Sequence, residues 1–304
     1  GLDPRVFSPS LVRGDLTGDA VAEAMWRSTT GANLFWTFDA AGQPVANGVQ
    51  GASANWLLAA IADLNGDSRA DLVWTDPATG VVAGWFMSGS TLLGTATLAN
   101  LGANAGWTLA ASGDLDGDSR ADLVWKNADG RVAGWRMNNG AIAQVIAYPT
   151  VPAGWEIVGA PDLDLDGKAE ILWRRTSDNA HYVWRYADTA NVSLEFLAMP
   201  PSTWRVVLVD DFDGDGVADL FWRSAGGANV VWPAGDIGRA VFLPGVDNTW
   251  TPVASGRYDG GAPASVLWRR DDGVVAVWRF GNGLAAPSAQ FYPSVPAEWS
   301  AVRP

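Results

Sequence analysis

An all-β fold, a six-bladed β-propeller with four antiparallel strands per blade, is what three features of this sequence predict. An Asp-rich segment recurs six times at near-constant spacing. All 18 tryptophans fall into register with it. The stretches between carry hairpin turns and short apolar runs, without a sustained helical period.

The segments are DLTGDAVAEAMW from Asp15, DLNGDSRADLVW from Asp63, DLDGDSRADLVW from Asp114, DLDLDGKAEILW from Asp162 and DFDGDGVADLFW from Asp211. A decayed sixth copy, RYDGGAPASVLW, starts at Arg257. Successive starts lie 48, 51, 48, 49 and 46 residues apart. One tryptophan ends each segment: Trp26, Trp74, Trp125, Trp173, Trp222 and Trp268. A second follows 10 or 11 residues later: Trp36, Trp85, Trp135, Trp184, Trp232 and Trp278. A third stands seven residues before the next Asp loop: Trp56, Trp107, Trp155, Trp204 and Trp250, a series that Trp299 continues at the far end.

The third copy shows the strands in order. Trp107 to Ala111 is short and apolar, which predicts a buried first strand. Ala121 to Trp125 follows the Asp loop and is rich in residues that suit a pleated surface. Asn127 to Gly130 is a turn, Arg131 to Met137 a third strand, and Asn139-Gly140 a strong hairpin signal. Ala141 to Ala147 is the fourth strand, ended by Pro149. Four strands per repeat of about 48 residues describe a propeller blade. Six repeats fill residues 1–304 as one ring. The first repeat has Ser8, preceded by Phe7, where a tryptophan is due. Trp299 is therefore expected to fill the slot between the last and first blades, beside Ser10 to Arg13, and to close the ring.

The Asp loops read as cation sites. Oxygen-bearing side chains stand at loop positions 1, 3, 5 and 9: Asp15, Thr17, Asp19 and Glu23; Asp63, Asn65, Asp67 and Asp71; Asp114, Asp116, Asp118 and Asp122. The fourth and fifth loops have Asp162, Asp164, Asp166 and Glu170, then Asp211, Asp213, Asp215 and Asp219. Hard oxygen donors alternating along a tight Gly-containing loop suit Ca²⁺. Three or four carboxylates in one loop would otherwise repel and raise one another's pKa. About five Ca²⁺ sites are expected, and five ions would bring the formal charge from −13 to −3. The sixth loop has Arg257, Gly261 and Ser265 at three ligand positions and is expected to bind no ion.

The pattern D-x-D-G-D-x-x-A-D-L-x-W, with its continuation Gly130 to Gly140, resembles the FG-GAP/VCBS repeat family over residues 8–304. That family includes the integrin α-subunit propeller, a fungal propeller lectin and many secreted bacterial proteins. The resemblance implies a β-propeller with Ca²⁺ in its blade loops.

Composition narrows the function. The chain has no Cys and one His, His181, which excludes disulfides, thiol catalysis and multi-His metal sites. A net charge of −13 argues against nucleic acid as partner, and no apolar run reaches the length of a membrane helix. Any signal peptide is expected to lie outside this sequence. The remaining reading is a secreted or cell-surface binding module, a carbohydrate-binding lectin or adhesin, with a glycan or a surface protein as partner. Basic residues follow many tryptophans, and Trp135-Arg136, Trp184-Arg185 and Trp278-Arg279 are candidate ligand pairs, since indoles stack on sugar rings while guanidinium donates to hydroxyls. For any single tryptophan, packing between neighbouring blades with Arg stacked on it is the favoured reading. An integrin-type protein-interaction platform is the alternative. A polysaccharide lyase, with His181 near Tyr182, Arg185 and Tyr186, ranks third.

Overall fold

The run that ends each Asp segment, such as Asp122-Leu-Val-Trp125, is apolar on both faces because it is buried on both faces. It forms the second strand of a sheet wedged between two neighbours. Leu123 and Trp125 pack against Ala60, Leu64 and Val73 of the preceding repeat. Val124, between them, packs towards Ala169, Ile171 and Trp173 of the following one. The two-residue period of a strand thus serves both interfaces at once.

The computed structural model describes residues 14–302 apart from 186, 262 and 282. Within them the chain forms six four-stranded antiparallel sheets. Blade 1 holds β1 (Ala24–Ser28), β2 (Asn33–Phe38) and β3 (Pro44–Val49). Blade 2 holds β4 (Leu57–Ala62), β5 (Asp71–Asp76), β6 (Val81–Ser88) and β7 (Thr91–Asn100). Blade 3 holds β8 (Trp107–Gly113), β9 (Asp122–Asn127), β10 (Val132–Asn138) and β11 (Ala141–Tyr148). Blade 4 holds β12 (Trp155–Gly159), β13 (Ile171–Arg175), β14 (His181–Arg185) and β15 (Ser193–Ala198). Blade 5 holds β16 (Trp204–Asp210), β17 (Asp219–Ser224), β18 (Asn229–Trp232) and β19 (Val241–Leu243), with two 3₁₀ turns between the last two. Blade 6 holds β20 (Trp250–Gly256), β21 (Ser265–Arg270), β22 (Val275–Gly281) and β23 (Ala285–Tyr292). The last strand, β24 (Trp299–Val302), joins blade 1.

The hairpin signal in blade 3 is a turn with Asn139 at φ 49° and Gly140 at φ 74°, the left-handed pair that such a two-residue turn requires. The first strand of this blade is half-buried rather than fully buried. It is an edge strand, paired on one side only, and small residues let the next blade come close. A Cβ on Gly113 would stand 2.5 Å from the Ala160 carbonyl oxygen.

Closure is by strand exchange. β24 pairs antiparallel with β1, Ser28 opposite Trp299 and Met25 opposite Val302, and so supplies the first strand of the first blade. The expected neighbour, Ser10 to Arg13, lies outside the described residues, as do Phe7 and Ser8. A second belt closes the ring at the Asp loops. The amide of loop position 8 donates to the position-1 carbonyl of the previous loop: Ala70 to Asp15 (2.5 Å), Ala121 to Asp63 (2.8 Å), Ala169 to Asp114 (2.5 Å) and Ala218 to Asp162 (3.1 Å). Ala264 to Asp211 (2.7 Å) and Ala22 to Arg257 (3.1 Å) complete the circle.

The tryptophans are the mortar. Trp26, Trp74, Trp125, Trp173, Trp222 and Trp268 are at most 1% exposed. Each lies against the second tryptophan of its own blade, with ring centroids 4.4 to 5.0 Å apart. Burial of this size is worth about 3–5 kcal/mol per indole by truncation. The arginines that follow them hold the blade-to-blade crossovers. Arg27 donates to the carbonyls of Ala52, Ser53 and Trp56 and lies 4.6 Å over the Trp74 ring. Arg223 does the same for Val246, Asp247 and Trp250 and covers Trp268. Arg269 reaches Val295, Pro296 and Trp299, tying the last crossover to β24.

Candidate metal centres and an aromatic crevice

Each Asp loop is organised by its own first and ninth side chains. In blade 3, Asp114 Oδ1 accepts from the Gly117 amide at 2.7 Å and Oδ2 from the Ser119 amide at 2.7 Å. This tight curl needs left-handed backbone at positions 4 and 6, and Gly117 (φ 82°) and Ser119 (φ 66°) provide it. The fourth loop swaps the two roles. Leu165 takes φ 60° where the others have glycine, and Gly167 takes φ 85° at position 6.

The ninth residue ties the loop to the blade. Asp122 accepts from the Leu115 amide at 3.0 Å and from the Met137 amide on β10 at 2.8 Å. Asp71 and Asp219 make the matching bridges, to Leu64 and Met87 and to Phe212 and Ala234. Glu23 and Glu170 hold Leu16 and Leu163 at 2.6 and 2.8 Å, the longer side chain serving the same end. The fifth position caps the loop's exit: Asp19, Asp67, Asp118, Asp166 and Asp215 each accept the amide two residues on.

The carboxylates converge as a cation site would require. Asp114, Asp116 and Asp122 bring one oxygen each within 4.8 Å of one another. So do Asp162, Asp164 and Glu170, and Asp211, Asp213 and Asp219. In the first loop, where Thr17 stands at position 3, the converging set is Asp15, Asp19 and Glu23, and Thr17 Oγ1 lies 3.1 Å from Glu23 Oε1. The second loop has the same backbone frame, with Asp63 gathering the Gly66 and Ser68 amides, but with Asn65 in the third position its carboxylates Asp63, Asp67 and Asp71 do not converge in this way. In the third to fifth loops the fifth-position acid is outside the converging trio, and Asp118 pairs with Arg120 at 2.7 Å. The sequence pattern made all four positions look equivalent. In the third to fifth loops the structure separates three inward donors from one that caps, while in the first Asp19 does both.

Burial shapes the electrostatics. It pushes Glu23 up to about 8, and Asp71, Asp122, Glu170 and Asp219 up to about 7, and the negative charge of their loop neighbours adds to the rise. Asp114, Asp162 and Asp211 are raised by burial as well. Buried negative charge gathered in this way is relieved by a proton or by a cation. The donor set is all oxygen, and it fits Ca²⁺. In the sixth loop Arg257 turns away from its own loop and sets Nη2 3.0 Å from Asp211 Oδ2 of the fifth.

The candidate ligand pairs divide. Trp135 and Trp184 are 5 and 6% exposed and packed between blades, so neither offers a ring face to a sugar, whereas Trp278, 9% exposed, lines a crevice at the other end of blade 6. Arg136, Arg185 and Arg279 turn towards loop carboxylates. His181 is wholly buried, its ring 4.7 Å from Trp222 and its Nδ1 2.9 Å from the Asn179 carbonyl, out of reach of any substrate. Tyr186 lies outside the described residues.

At the opposite end of the blades from the Asp loops, a crevice of about 230 Å³ opens where the blade 5 to blade 6 crossover passes over blade 6. Trp250, Trp268, Trp278 and Phe291 wall it, Ala276 floors it, and Asp247 stands at its edge. Position explains it. The floor residue precedes the second tryptophan by two, and in blade 4 that place is filled by Tyr182, paired with Phe196. Blades 2 and 3 have alanine there too, but opposite it stand Thr97 and Ala147, which make no wall. Only in blade 6 do a small floor and an aromatic wall coincide, Ala276 facing Phe291. Arg270 lies 5.3 Å over the outer Trp250 ring. Repeat consensus hides this site. What marks it is the small Ala276 opposite a fourth-strand Phe291, where blades 4 and 5 set Tyr182 and Val230 opposite theirs.

AofleA from Arthrobotrys oligospora, in its crystal structure, is similar at 14% identity, the match covering 95% of this chain and 90% of that one with a TM-score of 0.53. A triple arginine-to-alanine mutant of AofleA matches over the same shares, at 14% identity and a TM-score of 0.55. Likeness at this identity is one of fold. No curated protein matches the chain. The FG-GAP-like repeat matches at residues 63–125, 114–173 and 162–222, which takes in the second to fifth Asp loops. With the loop frame, the tryptophan register and this match, the chain belongs to the FG-GAP-like repeat family.

Proposed function

We propose that this chain is a Ca²⁺-stabilised ring that works as a carbohydrate-binding module, secreted or on a cell surface. The observation that carries the carbohydrate reading is the blade 6 crevice. Its volume of about 230 Å³ suits one sugar ring. Trp250 and Phe291 offer flat apolar faces for the C–H side of a pyranose, and the Asp247 carboxylate offers an acceptor for its hydroxyls. Five loops of hard oxygen donors support Ca²⁺ as the structural ion. Extracellular calcium, at millimolar levels, matches the affinity range of such modules.

A glycan array probed with the whole chain tests the reading. Binding is expected, and Phe291→Ala and Ala276→Tyr should each abolish it without changing the unfolding midpoint in Ca²⁺. Glycan binding that survives both substitutions would move the site elsewhere. A blank array would overturn the carbohydrate reading. A second reading, a protein-interaction platform, is favoured by one observation: Phe196, Phe242 and Phe291 occupy equivalent places on three consecutive blades and are 56, 76 and 63% exposed. A pull-down from the native surface that Phe242→Ser prevents would favour that reading.

A further inference from the structure

The five acidic loops differ in what rests on the third-position side chain. In blade 3, Arg136 Nε donates to Asp116 Oδ2 at 2.7 Å, and its Nη2 pairs with the same oxygen. In blade 4, Arg185 Nη1 lies 2.6 Å from Asp164 Oδ2 and 3.5 Å from Glu170 Oε1, so one guanidinium spans two members of the converging trio. In blade 5, Arg239 arrives from the 3₁₀ turn Ile237–Arg239 and stands 3.4 Å from Asp213 and 3.5 Å from Asp215. Blades 1 and 2 have no acid there, only Thr17 and Asn65, and the places matching Arg136 hold Thr37 and Phe86. Among these five loops acid and arginine are present together in three and missing together in two, and the sixth repeats the pairing as Asp259 with Arg279 at 3.5 Å.

We propose that Arg136, Arg185 and Arg239 are latches that compete with the cation for the third-position carboxylate, dividing the five loops into two classes. This rests on the Ca²⁺ reading above. The loops of blades 1 and 2 load directly. Those of blades 3 to 5 load when the guanidinium lets go of a carboxylate the ion needs. A guanidinium is a single positive charge seated on the oxygens that would hold a double one, and the two repel at this range. The released side chain has somewhere to go. Arg136 Nη1 already donates to Gln144 at 3.0 Å, and Arg185 Nε to Glu195 at 2.6 Å, both on the fourth strand. The latches of blades 3 and 4 therefore have two seats each and pass between them by giving up one.

Calorimetric titration of the whole chain with Ca²⁺ tests this. The native chain should show two classes of sites. Arg136→Gln should tighten one site about fivefold, the worth of a half-exposed ion pair, with stoichiometry unchanged. Arg131→Gln, whose partner Asp129 is outside the loops, should move none. The converse pair guards against a misfolded variant. Thr17→Asp should tighten the first loop, and Thr17→Asp with Thr37→Arg should give the gain back. Arginine Nε–H NMR signals should shift for Arg136 and Arg185 as Ca²⁺ is added. Site constants that Arg136→Gln leaves unchanged or weakens, or a doubly substituted first loop as tight as the singly substituted one, would overturn the latch while leaving Ca²⁺ binding intact. A native chain that takes up no Ca²⁺ at millimolar concentration would overturn both.

Discussion

Blades 3 and 6 share a frame and differ at both ends. Each has its tryptophan pair, 4.6 Å apart for Trp125 and Trp135 and 4.9 Å for Trp268 and Trp278, and each has its four strands. At the loop end blade 3 carries Asp114, Asp116, Asp118 and Asp122, where blade 6 has Arg257, Asp259, Gly261 and Ser265. At the other end blade 3 pairs Ala133 with Ala147, where blade 6 pairs Ala276 with Phe291 beside Trp250. The contrast teaches that the acidic loop is not what makes a blade. Tryptophan packing and the inter-loop amide belt are common to both. The acids add a candidate cation site, and their loss in blade 6 coincides with an aromatic crevice.

The largest test of that contrast is at the seam of blade 6. Deleting residues 298–304 removes β24, its pairing with β1 and the Trp299 carbonyl that accepts from Arg269. A loss of more than about 4 kcal/mol in urea unfolding is expected, since a strand, a packed indole and a seam vanish together. An unchanged midpoint would mean the ring is not closed by this strand.

The ninth position sharpens the comparison next. Asp122→Ala strips two buried amides of their acceptor and should cost about 3 kcal/mol even with chelator present. Ser265→Ala, at the same place in blade 6, should cost less than about 1 kcal/mol. Equal losses would show that the ninth acid is not the loop's anchor.

His181 gives a pH test of a third seam. In blade 4 it covers Trp222, where Arg27 and Arg223 cover Trp74 and Trp268 in neighbouring pairs. Burial holds its pKa down to about 4. The unfolded chain binds a proton near pH 6.5 and the folded one does not, so stability is full above pH 6.5 and is lost as pH falls towards 4. The loss should reach about 3 kcal/mol, from the size of the shift. Comparing urea midpoints of the native chain and His181→Leu across this range, in saturating Ca²⁺, isolates it. Parallel curves would contradict the assignment.

The smallest effects lie on the loop rims. Asp118→Ala should weaken one Ca²⁺ site while changing stability in chelator by less than about 1 kcal/mol, its partner being a part-exposed arginine. Asp259→Ala, which loses Arg279 at 3.5 Å and the exposed Gly261 amide at 3.2 Å, should stay within about 0.5 kcal/mol. Calcium titration and urea unfolding of both variants check the pair.

Blade number, strand spans and the inward burial of the tryptophans were legible because they repeat. Eighteen indoles in three registers leave one way to stack six sheets. Other features joined residues far apart. The reach of Asp122 to Met137 on β10 depends on where two strands cross, and Arg136 on Asp116 spans a loop and two strands. Spacing alone made Trp135-Arg136 look like a ligand pair. In the fold the indole turns into the interface and the guanidinium to the loop, since adjacent strand residues point to opposite faces. The partner of Trp299 was legible only as a missing strand, and the structure supplied β1 as its neighbour.

The central claim is that the acidic loops hold Ca²⁺ as part of the folded ring. The most direct measurement is the thermal unfolding midpoint of the whole chain in millimolar Ca²⁺ against excess chelator. A clearly higher midpoint with Ca²⁺ is expected, because each site filled to a hundredfold over its Kd adds about 2.7 kcal/mol to the native state. Identical midpoints would contradict the account.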